Sequence, residues 1–81
     1  MTNELLENLD KLHTTELGVF RIKRNLKLNT EDVVKWCKDA ILSADEDKIF
    51  RNGKNWYVKT GGCTITVNAY SYTIITAHPE I

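Results

Sequence analysis

Two dipeptides, Asn52-Gly53 and Gly61-Gly62, constrain this chain more than any other feature. A two-residue hairpin turn needs positive φ at its centre, and Asn-Gly and Gly-Gly adopt that geometry at little cost. Each dipeptide therefore predicts a hairpin, with Trp56-Tyr57-Val58 shared between them and Cys63-Thr64-Ile65-Thr66-Val67 following the second. A third turn, around Ala69-Tyr70-Ser71, carries no Gly and leads into a last strand. The second half thus reads as a four-stranded antiparallel meander within residues 47–78.

Strand side chains alternate between faces, so the turns also predict a register. A turn at Gly61-Gly62 pairs Thr60 with Cys63, Val58 with Ile65 and Trp56 with Val67, and these residues form one apolar face. The opposite face receives Asn55, Tyr57, Lys59, Thr64, Thr66 and Asn68, with Lys48 from the first strand. A three-residue third turn adds Thr73, Ile75 and Ala77 to the apolar face, and Tyr72, Ile74, Thr76 and His78 to the polar one. Trp56, Val58, Ile65, Val67 and Ile75 are the expected sheet core.

The first half has helical spacing instead. Leu5, Leu6, Leu9 and Leu12 repeat along one stripe. Thr14 and Thr15 are caps for a second helix, with Glu16 in its first turn and Leu17, Phe20 and Ile22 as its apolar positions. A third helix starts after Asn29 or Thr30, with Glu31 and Asp32 in its first turn. Val33, Val34, Cys37, Ala40 and Ile41 line its face, and Ser43 to Asp47 is a polar linker. Those apolar stripes need a surface to cover, and the apolar sheet face is the candidate. The expected fold is α+β: one domain over 1–81, a helical half (1–45) packed on one face of the sheet (46–81), and the other face open.

Composition narrows the function classes. The 11 basic and 11 acidic residues cancel, and no apolar run approaches the roughly 20 residues of a membrane span. Cys37 and Cys63 are too few for a disulfide scaffold or a Cys-based zinc site. They are expected to be reduced, buried and structural in a soluble, cytoplasmic protein. No phosphate loop, metal-ligand pair or nucleophile elbow is present, and neither metal nor cofactor is expected. The charge is segregated. Arg21, Lys23, Arg24 and Lys27 form one basic block, and Lys48, Arg51, Lys54 and Lys59 another, with acidic segments around them. Either the blocks converge in space on an anion, or they decorate unrelated faces.

The polar face carries the chemistry that a phosphodiester needs. Histidine is the side chain best suited to acid and base work near neutral pH, and by the register His78 lies close to Tyr57, Lys59 and Thr64. His78, Tyr57 and Lys59 are the candidate catalytic residues. Arg21, Arg24, Arg51, Lys54, Asn68, Thr66 and Thr76 are the candidate RNA and phosphate contacts. His13 is expected to be an exposed loop residue.

The segments Arg51–Val58 (RNGKNWYV) and Ile65–His78 (ITVNAYSYTIITAH), with RIKRNL at 21–26 and DVVKWCKDAI at 32–41, resemble an uncharacterised family of short bacterial and phage proteins. That resemblance covers nearly the whole chain and implies no activity. At fold level, helices followed by an antiparallel meander are similar to the barnase, colicin and RelE-like ribonuclease toxins. Those act from an open sheet face with scattered His, Lys, Arg, Tyr, Ser and Thr, and the likeness transfers no residue by position. Two expectations follow: an RNA-directed protein, as a metal-independent endoribonuclease of toxin type, or a non-enzymatic module that binds a host protein through the same face.

Overall fold

The computed structural model describes residues 4–79. A single helical turn, α1 (Glu4–Glu7), continues as a 3-10 turn at Leu9–Lys11, and helices α2 (Glu16–Leu26) and α3 (Val33–Ser43) follow. Strands β1 (Ile49–Asn52), β2 (Asn55–Thr60), β3 (Cys63–Asn68) and β4 (Ile74–Pro79) form one antiparallel sheet in that order. The architecture is the α+β arrangement expected, with helices on one face. Among the described residues no helix is long and apolar enough to cross a membrane.

Local chemistry explains the helix starts. Thr15 Oγ1 accepts the Gly18 amide at 3.0 Å, and Asp32 Oδ1 accepts that of Lys35 at 2.9 Å, each satisfying an amide that the first helical turn leaves open. Asp32 is therefore the cap of α3 and not a first-turn residue. The Gly61-Gly62 turn has φ of 56° and 78°, and it sets the expected pairs Thr60↔Cys63, Val58↔Ile65 and Trp56↔Val67. The first hairpin differs from expectation. Its loop is Gly53-Lys54, Asn52 pairs with Asn55, and among these residues only Gly53 has positive φ, the pattern of a type II′ turn.

Leu5, Leu12, Ile22, Val33, Cys37 and Ile41 from the helical half bury against Ile49, Trp56, Val58, Cys63, Ile65, Val67, Ile74 and Ala77 from the sheet. Cys37 and Cys63 are both in this core, without a disulfide. Two core expectations are corrected. Between Thr66 and Val67 the β3–β4 ladder shifts: Thr66 pairs with Thr76, but Val67 pairs with Ile74. One extra residue, Ile75, is accommodated there as a bulge. Ile74 is consequently buried and Ile75 is 36% exposed, the reverse of the expected roles. Leu17 (56% exposed) and Phe20 (61%) face outward on α2, whose inward positions are Gly18 and Ile22.

Helix α2 packs chiefly along β4. The His13 carbonyl accepts the Ile74 amide at 2.7 Å, Thr14 Oγ1 donates to the Ile74 carbonyl at 2.8 Å, and Asn25 Nδ2 donates to the Ala77 carbonyl at 3.2 Å. His13 also makes a parallel bridge with Thr73, and one of its ring nitrogens lies 3.0 Å from Thr73 Oγ1. His13 is exposed, as expected, but it is an anchor and not a free loop residue. A Cβ on Gly18 would collide with Thr14 Oγ1, so this glycine permits the close approach of α2 to its own lead-in.

Candidate functional site: the open face of the sheet

The face turned away from the helices is ordered in rows by the ladder. Lys59, Thr64 and His78 form the first row, across β2, β3 and β4. Phe50, Tyr57, Thr66 and Thr76 form the second, across all four strands. Asn52, Asn55 and Asn68 form the third. Neighbouring strands are about 4.8 Å apart, so Lys59 and His78, flanking Thr64, have backbones about 10 Å apart.

The aromatic pair is the most structured part of this surface. Phe50 and Tyr57 stack with centroids 5.7 Å apart and planes inclined by 23°, and Lys59 Nζ lies 5.9 Å from the Phe50 ring centre. Phe50 is 41% exposed and Tyr57 is half-buried, with its hydroxyl 3.4 Å from Asn55 Nδ2. A partly exposed aromatic pair next to an ammonium suits contact with a base followed by a phosphate. Sequence reasoning missed Phe50. Its signal was parity, since residue 50 alternates with Ile49 and shares a face with Tyr57.

The candidate catalytic residues do share this face. His78 is exposed, and its Nδ1 lies 3.3 Å from the Pro79 carbonyl. Lys59 is exposed as well. The candidate phosphate contacts fare differently. Thr66 is only 7% exposed, held between Tyr57 and Thr76 in the second row. Asn68 Oδ1 accepts the amides of Tyr70 and Ser71 at 2.9 Å each and is committed to the β3–β4 turn. Thr76 is half-buried, 3.4 Å from Asn25 Nδ2.

Arg21 and Arg24 of the first basic block do not meet Arg51 and Lys54 of the second. Arg21 and Arg24 are exposed on α2, beside β4, and Arg24 lies over the Phe20 ring at 5.7 Å. Arg51 and Lys54 belong to the β1–β2 hairpin, three strand spacings or about 14 Å across the sheet. Arg51 moreover pairs with Trp56, which places it on the helix side, where its guanidinium covers the Tyr70 ring at 5.3 Å. Tyr72, expected on the polar face, is instead in the β3–β4 connection at φ 58°, with Lys11 Nζ 5.7 Å from its ring centre. Lys48 precedes β1 in a 3-10 turn.

A separate cleft of about 380 Å³ lies between Asn25–Leu28, Trp36, Gly61–Cys63 and Pro79, and it contains none of the candidate residues. Among the described residues no group of three His, Cys, Asp or Glu side chains could hold a metal ion.

Fold and face together define a small two-layer α+β domain that presents a polar sheet with an aromatic pair at its β1–β2 side. The chain belongs to the family described as protein of unknown function (DUF3781), whose model matches residues 6–78. No curated protein and no solved structure matches it.

Proposed function

We propose that this protein binds single-stranded RNA on the open sheet face. The observation that carries the reading is the Phe50–Tyr57 stack with Lys59 beside it. Bases stack on exposed aromatic rings irrespective of sequence, and the ammonium engages the backbone phosphate that follows. A chain of zero net charge needs such a local arrangement, because no overall field gathers nucleic acid to it.

The finer reading is a metal-independent endoribonuclease of toxin type. A phosphodiester lying over Thr64 is within reach of both Lys59 and His78. His78 removes the 2′-hydroxyl proton, the 2′-oxygen attacks phosphorus, Lys59 stabilises the charge on the phosphorane, and the 5′-oxygen departs with a proton from Tyr57. A second reading, docking of another protein, is favoured by the apolar Leu17 and Phe20 beside Arg24 on α2.

Fluorescence anisotropy with labelled single-stranded RNA, over a salt series, tests the binding step. Affinity is expected to fall steeply with salt, and Tyr57→Ala or Lys59→Ala should weaken it about tenfold, given the worth of one base stack. Incubating the same RNA with wild type and His78→Ala tests cleavage separately. Salt-independent anisotropy or equal binding by Tyr57→Ala removes the RNA reading and leaves protein docking. Binding without cleavage removes only the enzymatic step.

A further inference from the structure

The two edges of the sheet are treated differently. On β4, the Ile74 amide and carbonyl and the Ala77 carbonyl are taken by His13, Thr14 and Asn25, and α2 lies alongside. On β1, among the described residues, only β2 pairs with the strand. An uncovered edge is a template for another strand. β1 has neither proline nor bulge to block one, and its aromatic Phe50 is exposed.

We infer that the outer edge of β1 pairs with β1 of a second copy of this chain, antiparallel and about a two-fold axis at Phe50. Two independent features select this occupant and this register. The first is hydrogen-bond parity. The two-residue loop Gly53-Lys54 makes Asn52↔Asn55 a hydrogen-bonded pair, and alternation makes Phe50↔Tyr57 another. Phe50 and Asn52 thus bond inward to β2, whereas the backbone groups of Ile49 and Arg51 point outward. The Ile49 amide is occupied by the Glu46 carbonyl, leaving the Ile49 carbonyl and both groups of Arg51 for a partner. An axis at Phe50 opposes Ile49 to Arg51 of the other copy, so that each Arg51 amide meets an Ile49 carbonyl, two bonds in all, while the Arg51 carbonyls face solvent. Phe50 then faces its own mate as a non-hydrogen-bonded pair, the closer kind, with Cα atoms about 4.5 Å apart.

The second feature is charge. One end of β1 is preceded by Asp45, Glu46 and Asp47, and the other carries Arg51 and Lys54, with Lys48 facing Asn52 of the mate. Antiparallel pairing sets the acidic end of each copy beside the basic end of the other, whereas parallel pairing would oppose like charges. The product is an eight-stranded sheet with one continuous open face. Tyr57 and Phe50 of both copies form an unbroken aromatic stripe across the axis, and the interface is isologous.

Sedimentation of the purified chain without RNA, over a concentration series, should show a species of about twice 9.3 kDa. Cysteine placed on the axis gives the register. Phe50→Cys should form a covalent dimer on mild oxidation, because its mate lies within disulfide reach. Asn52→Cys should not, being about 14 Å along the strands from its own mate. The native Cys37 and Cys63 are buried and should not interfere. Reversing Arg51 and Lys54 to Glu should weaken the dimer at least tenfold, and adding Glu46→Lys and Asp47→Lys should restore it. A monomer at every concentration overturns the proposal, as does a dimer that crosslinks through Asn52→Cys and not Phe50→Cys, or one indifferent to charge reversal. RNA is absent from every arm, so the outcome is independent of the binding proposal.

Discussion

Asn25 on α2 donates its amide to the carbonyl of Ala77 on β4, 52 residues further along the chain. The bond satisfies a backbone carbonyl at the β4 edge of the sheet. Replacing Asn25 leaves that carbonyl partly buried and without its donor. Asn25→Ala is expected to lower stability by about 1 kcal/mol, and Thr14→Ala by a similar amount through the Ile74 carbonyl. Denaturant titration checks both. A loss near zero for both would mean that α2 holds the edge through apolar packing alone.

The bulge in β4 exchanges the roles of two adjacent isoleucines, and their alanine variants should separate cleanly. Ile74 is fully enclosed, so Ile74→Ala should cost about 2–5 kcal/mol for lost burial and the cavity left behind. Ile75 is 36% exposed, and Ile75→Ala should cost less than about 1 kcal/mol. Equal losses at the two positions would place the extra residue elsewhere.

Burial, with a smaller contribution from the neighbouring Cys63, pushes the Cys37 thiol up to about 12. In the unfolded chain the same thiol ionises near 8.5. Its folded pKa is raised, so the folded state holds the proton more firmly. The stabilisation is fully present below about pH 8.5 and is lost as pH rises toward 12. Wild type should therefore lose stability through that window in urea titrations, and Cys37→Ala should lose less. Thiol-reactive reagents at neutral pH should label Cys37 only as fast as the protein unfolds.

How much of this was legible in the sequence differs by element, for physical reasons. The β2–β3 register was readable because Gly61-Gly62 fixes a two-residue turn, and a fixed turn fixes every pair after it. The β3–β4 turn gave no such signal, since the positive φ is at Tyr72 and not at a glycine. Parity nevertheless placed Thr76, Ala77 and His78 on their correct faces. It failed at Ile74 and Ile75, where a bulge breaks alternation and nothing in a single sequence announces one. Leu17 and Phe20 were misassigned because helical periodicity finds an apolar stripe without saying that α2 packs on a strand edge, through Gly18, Ile22 and Asn25. The catalytic candidates reached one face for the same parity reason. The arginines did not, because charge blocks along a chain carry no information about which edge each will occupy.

The bonds from His13, Thr14 and Asn25 to β4 bear on the order in which the molecule can be made. These residues from the first third of the chain find their hydrogen-bond partners in β4, so a growing polypeptide offers α2 its main packing surface only once β4 has been synthesised. The β1–β2 and β2–β3 hairpins need only neighbours in sequence and can form while still attached to the ribosome. Closure of the helical layer must wait for β4, and it brings together groups about fifty to sixty residues apart, the slow kind of contact in small domains. A ribosome stalled with β4 inside its exit tunnel should hold a sheet of at most three strands with an unattached helix, and such nascent chains should be cleaved by protease between residues 16 and 30 well before the sheet is.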